Sequence, residues 1–102
     1  RTPNPNALKP GVYVGTCKVI QGEKVRNHDL KCLAYFGPRL VFGEKENRFE
    51  VFIYHYDQTI YGYTLEVKLL KYLRAPQKID NMSQLKTKLE EDKRKGIEVL
   101  AV

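Results

Sequence analysis

Apolar and polar positions alternate along four stretches of the chain. They are GVYVGTCKVI (11–20), LKCLAYF (30–36), RFEVFIYHY (48–56) and YTLEVKLLKYLR (63–74). In the last, Leu65, Val67 and Leu69 fall on one face and Glu66 and Lys68 on the other, the period-2 signature of a strand. Gly15 interrupts the first stretch and marks a bulge or bend. The connections carry turn chemistry: QGEKVRNHD (21–29), GPRLVFGEKEN (37–47, with a short apolar run inside) and DQTIYG (57–62).

After Arg74 the period changes. APQKID is a loop set by Pro76, and a helix over 81–100 follows. Asn81 is its N-cap, with Gln84 at the capping-box spacing. Met82, Leu85, Leu89, Ile97 and Leu100 form an apolar stripe, and Gly96 weakens the helix late. Residues 1–10, RTPNPNALKP, hold three prolines that bias their predecessors away from helix, so they read as an extended arm. The pattern predicts a mainly β chain: a small antiparallel barrel over 11–74, which leaves few strand edges exposed, closed by a C-terminal helix.

At 102 residues the chain is expected to be one domain spanning 1–102. It opens on Arg1 rather than Met, as a piece of a longer protein would. No apolar run reaches the roughly 20 residues of a membrane span and no secretory signal is visible, so no membrane role is expected. The net charge is +6. In the last twenty residues Lys86, Lys88, Lys93, Arg94 and Lys95 nearly offset Glu90, Glu91, Asp92 and Glu98, so the excess lies earlier. It suits an anionic ligand, or solubility alone. Cys17 and Cys32 are too isolated for a disulfide framework or a zinc site and are expected to pack as small apolar groups in a reduced, cytoplasmic setting. Neither His28 nor His55 has a partner at metal-ligand spacing. Walker-type, dinucleotide and nucleophile-elbow motifs are absent.

The order of features carries more. LKPGVYVG, AYFGPRLVFGE, RFEVFIYHYDQTIYGYTLEVKLLKYLR and APQKIDNMSQLKTKLEEDKRKG succeed one another, and this succession resembles the riboflavin kinase family from about Leu8 to Lys95. There a Gly-Val-Tyr strand, a Gly-x-x-Pro-Thr-Phe-like turn, a Glu-Val-His-like strand, a Tyr-Gly corner and a strand ending Leu-Arg-Pro-Glu precede a capped helix. The resemblance implies a six-stranded antiparallel β-barrel that transfers the ATP γ-phosphoryl group to the riboflavin 5′-hydroxyl, with Mg²⁺ bridging phosphates. It implies Glu50 as the proton acceptor, Arg74 as a flavin or phosphate contact, and Tyr61 and Gly62 as the corner beside the nucleotide. Pro3-Asn4-Pro5-Asn6 is similar to the family's Pro-Thr-Ala-Asn motif, which puts Asn4 at the nucleotide and Asn6 at the metal.

Three departures stand out. The gap from Asn6 to Gly11 is short, Arg39 replaces a smaller residue in the Gly-Pro turn, and Ala75 intervenes before Pro76 with no following Glu. Either the chain starts partway through a kinase domain or it is a shortened relative without catalysis. The resemblance also implies a preceding FAD synthetase domain in longer relatives. Two other readings stay open: a barrel that binds flavin or nucleotide without transfer, and, least favoured, a small basic barrel that stacks RNA on Tyr54, Tyr56, Tyr61 and Tyr63 beside Lys68 and Lys71.

Overall fold

Strand β1 (Gly11–Gln21) is the spine of the molecule, paired along both of its edges. In the computed structural model, which describes residues 8–38, 43–56 and 62–100, it is joined by β2 (Lys24–Gly37), β3 (Arg48–Ile53) and β4 (Thr64–Arg74). The antiparallel sheet has the order β3-β2-β1-β4, and helix α1 (Met82–Leu100) follows. The chain is therefore mainly β with a C-terminal helix, as the alternation predicts. Of the six strands that the resemblance implies, four are formed among the described residues, in one sheet in which β3 and β4 are not hydrogen-bonded neighbours. The sequence itself offers only four alternating stretches. The remaining described segments are turns or the extended Ala75–Asp80 connection, which contribute no further strand.

β2 starts at Lys24, six residues before the apolar stretch that announces it. Only Gly22 and Glu23 turn, with Gly22 at φ +62° supplying the conformation a tight hairpin requires. Lys24, Val25 and Asn27 pair with Gln21, Ile20 and Val19 although their side chains are largely solvated, because ladder bonds use backbone groups. The register slips between Cys17 and Ile20, where Asp29 sits at φ +50°. Gly15 coincides with a register shift against β4; a Cβ there would lie 2.0 Å from the Lys68 carbonyl oxygen. β3 is shorter than its apolar stretch, since Tyr54 and His55 turn the chain.

Cys32 and Leu33 are adjacent, so their side chains leave opposite faces of the sheet. Each anchors a separate core. On one face Cys17, Val19, Cys32 and Ile53 are buried, with Val51 from β3 and Val67 from β4 converging on them. On the other, Val12, Val14 and Leu33 pack with Tyr54, Val99 and Leu100, placing α1 on this face. Cys17 and Cys32 are free and buried, as expected. A hydrogen bond with Cys17, reinforced by burial, pushes the Cys32 thiol pKa up and keeps it protonated.

The Asn81 cap forms as predicted: the Gln84 N–H donates to Asn81 Oδ1 at 2.9 Å, and the Asp80 N–H donates to Gln84 Oε1 at 3.1 Å. The predicted stripe needs correction. Met82 and Leu89 are exposed, and the buried helix positions are Asp92 and Gly96. Gly96 is a contact point rather than a weakness. A Cβ at this position would lie 2.3 Å from Tyr54 Oη, 3.0 Å from Leu33 and 3.1 Å from Val14, so its missing side chain is what lets α1 settle on the sheet.

Candidate functional site

Between α1 and the helix-facing side of β1, β2 and β3 lies a cavity of about 360 Å³. Val12 and Leu33 contribute sheet lining, while Phe52, Leu85 and Leu89 add apolar surface from β3 and the helix. Six polar residues join them: Tyr35, Glu50, Arg74, Gln77, Asp92 and Lys93. A mostly apolar cleft with a few convergent polar groups is the usual form of a small-molecule site.

Glu50, the proton acceptor that the resemblance implies, is among the described residues. It sits in β3 opposite Tyr35 of β2, and it lines the cavity as an exposed residue. Strand alternation puts Glu50 on the same face as Phe52 and Tyr54, toward the helix. Tyr35 donates its hydroxyl to the Pro38 carbonyl at 2.6 Å. Burial raises the Tyr35 pKa, Arg74 counteracts this and Glu50 adds to it. The carboxylate of Glu50, the phenol of Tyr35 and the guanidinium of Arg74 thus share one electrostatic neighbourhood.

Arg74 is not a strand-end charge in water. Its Nε donates to Asp92 Oδ1 at 2.8 Å and its Nη2 to Asp92 Oδ2 at 2.6 Å, a bidentate pair. Nη1 donates to the Ala75 carbonyl at 3.0 Å. Asp92 is 1 % exposed. Sequence reasoning passed over Asp92 because charged residues were counted to the solvent side. The signal was its spacing: Leu85, Leu89, Asp92 and Gly96 recur at intervals of four, three and four, one face of a helix.

Lys93 and Tyr54 were also unassigned to this cleft. Lys93 Nζ lies 4.2 Å from the Phe52 ring centroid, and the Tyr54 hydroxyl donates to the Lys93 carbonyl at 2.7 Å. Phe52 and Tyr54 meet edge to face at 5.3 Å. These contacts tie the middle of α1 to the end of β3. They also weaken the RNA-stacking reading: Tyr54, Tyr56 and Tyr63 pack against the two cores instead of forming an exposed aromatic row.

Gly62 is exposed at φ +81° with nothing within 4 Å of a built Cβ, so its described role is a turn. Asn4, Asn6 and Tyr61 lie outside the described residues. Among the described residues no group of three or more His, Cys, Asp or Glu side chains could hold a metal ion. Asn6, the metal contact that the family resemblance implies, is not among these residues, and no step below is routed through a metal. No described helix is long and apolar enough to cross a membrane.

The profile of the family described as riboflavin kinase (flavokinase) matches residues 2–100. The chain is 33% identical over 90 residues to the trifunctional protein RibF/MnmA of Mycoplasmoides gallisepticum, an alignment covering 88% of this chain and 13% of that protein. It is also similar to a crystal structure described as a macrolide-efflux protein from Streptococcus pneumoniae. There the TM-score is 0.59 and the identity 33%, over 83% of this chain and 26% of the other. This chain thus spans a small part of each of these relatives. With the profile match running almost end to end over a β-sheet capped by a C-terminal helix, the chain belongs to the riboflavin kinase family.

Proposed function

We propose that the chain is the riboflavin kinase unit of a cytoplasmic flavin-making protein, that the cavity under α1 receives riboflavin, and that Glu50 accepts the proton of its 5′-hydroxyl. The observation that carries the reading is that Glu50, exposed to solvent, lines a cleft whose lining is largely apolar. A tricyclic aromatic ring suits such walls, and a polar side chain of the ligand would leave through the side where the carboxylate stands. In the transfer, the 5′-oxygen forms a bond to the γ-phosphorus as the bond to the β,γ-bridging oxygen breaks. ADP departs, FMN forms, and the hydroxyl proton passes to Glu50 and then to solvent. The protein's share is positioning and charge stabilisation. ATP is the co-substrate, with Mg²⁺ expected to neutralise its phosphates. Asn4 and Asn6 are the expected nucleotide and metal contacts, and Tyr61 and Gly62 the expected nucleotide corner. A preceding FAD synthetase domain in a longer chain belongs to the same proposal.

The test is direct. Purified protein is mixed with riboflavin, ATP and Mg²⁺, and FMN is followed by chromatography. Turnover that falls about a hundredfold or more in Glu50→Gln supports the assignment. Flavin fluorescence quenching without any FMN refutes transfer and leaves a binding barrel. Turnover unchanged in Glu50→Gln removes the residue from its role.

A further inference from the structure

Lys9 is exposed, yet both its backbone and its charge are held. We infer that its ammonium is a contact for a phosphate group of the nucleotide, and that Tyr72 is the positioning residue that seats it. The inference rests on the kinase reading above and adds a residue to it.

The seat is built at the start of β1. Lys9 Nζ lies 4.6 Å from the centroid of the Tyr72 ring. The Tyr13 hydroxyl donates to the Lys9 carbonyl, and the Tyr72 hydroxyl donates to the Pro10 carbonyl at 2.8 Å. The two rings meet edge to face at 5.1 Å, and their residues are paired across β1 and β4. Gly11 completes the fit. It sits at φ +149°, and a Cβ there would lie 2.2 Å from the Arg74 carbonyl oxygen and 2.6 Å from the Tyr72 ring. A surface lysine ordinarily keeps its rotamer freedom in water. This one has two successive carbonyls fixed by phenols and its charge fixed on a ring. A cation ordered before its ligand arrives loses less entropy when the ligand binds.

Position and charge indicate the ligand. Tyr13 alternates with Val12 and Val14, which face α1, so both tyrosines face the other way. A phosphate at Lys9 therefore does not compete for the cleft proposed for riboflavin. The two places still meet at one rim. A Cβ on Gly37 would lie 3.7 Å from Pro10 and 2.9 Å from Tyr35 Oη, and Tyr35 pairs with Glu50. The cavity itself has no excess positive charge for a triphosphate, since Glu50 and Asp92 balance Arg74 and Lys93. Lys9 has no carboxylate partner among the described residues, so an anion beside it meets attraction without a competing acid. It also closely follows Asn6, the expected metal contact, in the chain.

FMN formation with Mg²⁺ gives the KM for ATP and for riboflavin, and quenching of flavin fluorescence gives riboflavin affinity. The variants are Lys9→Gln, Lys9→Arg, Tyr72→Leu and Lys9→Gln combined with Tyr72→Leu. Lys9 is exposed, so Lys9→Gln is expected to keep the wild-type thermal transition. Its KM for ATP should rise about tenfold and its riboflavin affinity stay within about twofold. Lys9→Arg should stay within about threefold of wild type, since it keeps both the charge and the ring contact. The gap between wild type and Lys9→Gln should narrow as salt is raised from about 0.05 to about 0.5 M. Tyr72→Leu should raise the KM for ATP too, and the double variant should be no worse than Lys9→Gln alone, because the ring acts through the lysine. A KM for ATP within about twofold of wild type in Lys9→Gln, or an equal loss of riboflavin affinity, overturns the inference and leaves the kinase reading standing. Additive losses in the double variant overturn the role of Tyr72. Wild-type protein that binds flavin but makes no FMN removes the transferase reading. Titration with ATP carrying an N-methylanthraniloyl group on the ribose then decides Lys9: weaker binding in Lys9→Gln supports the contact and equal binding overturns it. Wild-type protein that binds neither flavin nor the labelled ATP overturns both.

Discussion

Tyr54 donates its hydroxyl to the carbonyl of Lys93 across 2.7 Å, and the same oxygen occupies the space where a side chain on Gly96 would begin. One phenol thus sets the distance between sheet and helix. Gly96→Ala gains up to about 1 kcal/mol of helix propensity. It also forces a Cβ to within 2.3 Å of Tyr54 Oη, and overpacking of this kind costs about 1–3 kcal/mol. The expected net effect is destabilisation, read as a lower urea midpoint. Tyr54→Phe in the same chain should recover part of it by removing the offending oxygen.

Tyr54 also sets an alkaline limit. Burial, then Asp92, then Cys32 push its pKa up to about 12 from an ordinary value of 10.0. The folded state therefore holds this proton after the unfolded chain has released it. Stability from this residue is complete below pH 10 and is lost as pH rises toward about 12. Tyr13 and Tyr35 shift in the same direction, chiefly through burial. Melting temperatures measured from pH 9 to 12 should fall with rising pH (a window of about three units), and Tyr54→Phe should flatten part of that slope.

Removing one member of the buried pair should do more harm than removing both. Asp92→Ala strands a guanidinium that is 17% exposed, a loss of about 3–5 kcal/mol by analogy with other broken buried pairs. Replacing Arg74 with Met and Asp92 with Leu together is expected to cost far less. Denaturant titration of the two variants side by side checks the order.

The helix cap offers a milder lever on the same wall. Asn81→Ala removes the acceptor for the Gln84 N–H and should cost about 1 kcal/mol. Hydrogen exchange is expected to quicken in the first turn of α1, with little change in β1.

Cys17 and Cys32 report on the opposite face. Both are buried, at 2% and 0% exposure, so a thiol reagent should label neither until the sheet opens. Labelling rates that track global unfolding across denaturant concentrations are the expected outcome; fast labelling in water contradicts this packing.

What the sequence disclosed depended on the range of the interaction. Features written in neighbouring residues were legible: the Gly15 irregularity, the Asn81 cap with Gln84, and the four alternating strands. Lys24–Asn27 were not, because a strand whose side chains mostly face water shows no apolar rhythm, and backbone pairing with β1, with the Tyr56 hydroxyl donating to Asn27 Oδ1, holds it. Glu50 and Arg74 were singled out through a resemblance, but their common cavity arises from the pairing of β2 with β3 and of β1 with β4. Asp92 was read as one more solvated charge. Its burial depends on an arginine eighteen positions away, which no local pattern announces. Gly96 was read as a helix defect because propensity describes an isolated helix, whereas the contact with Tyr54 belongs to the assembled one.

The order in which the chain leaves a ribosome gives α1 a particular weight. All four strands, Glu50 and Arg74 among them, emerge before Met82, yet until the nineteen-residue helix docks they lack the Leu85, Leu89, Asp92 and Lys93 wall of the cavity. A nascent chain arrested ahead of that segment would carry Glu50 and Arg74 without the helical side of their cavity and without the Asp92 partner of the arginine.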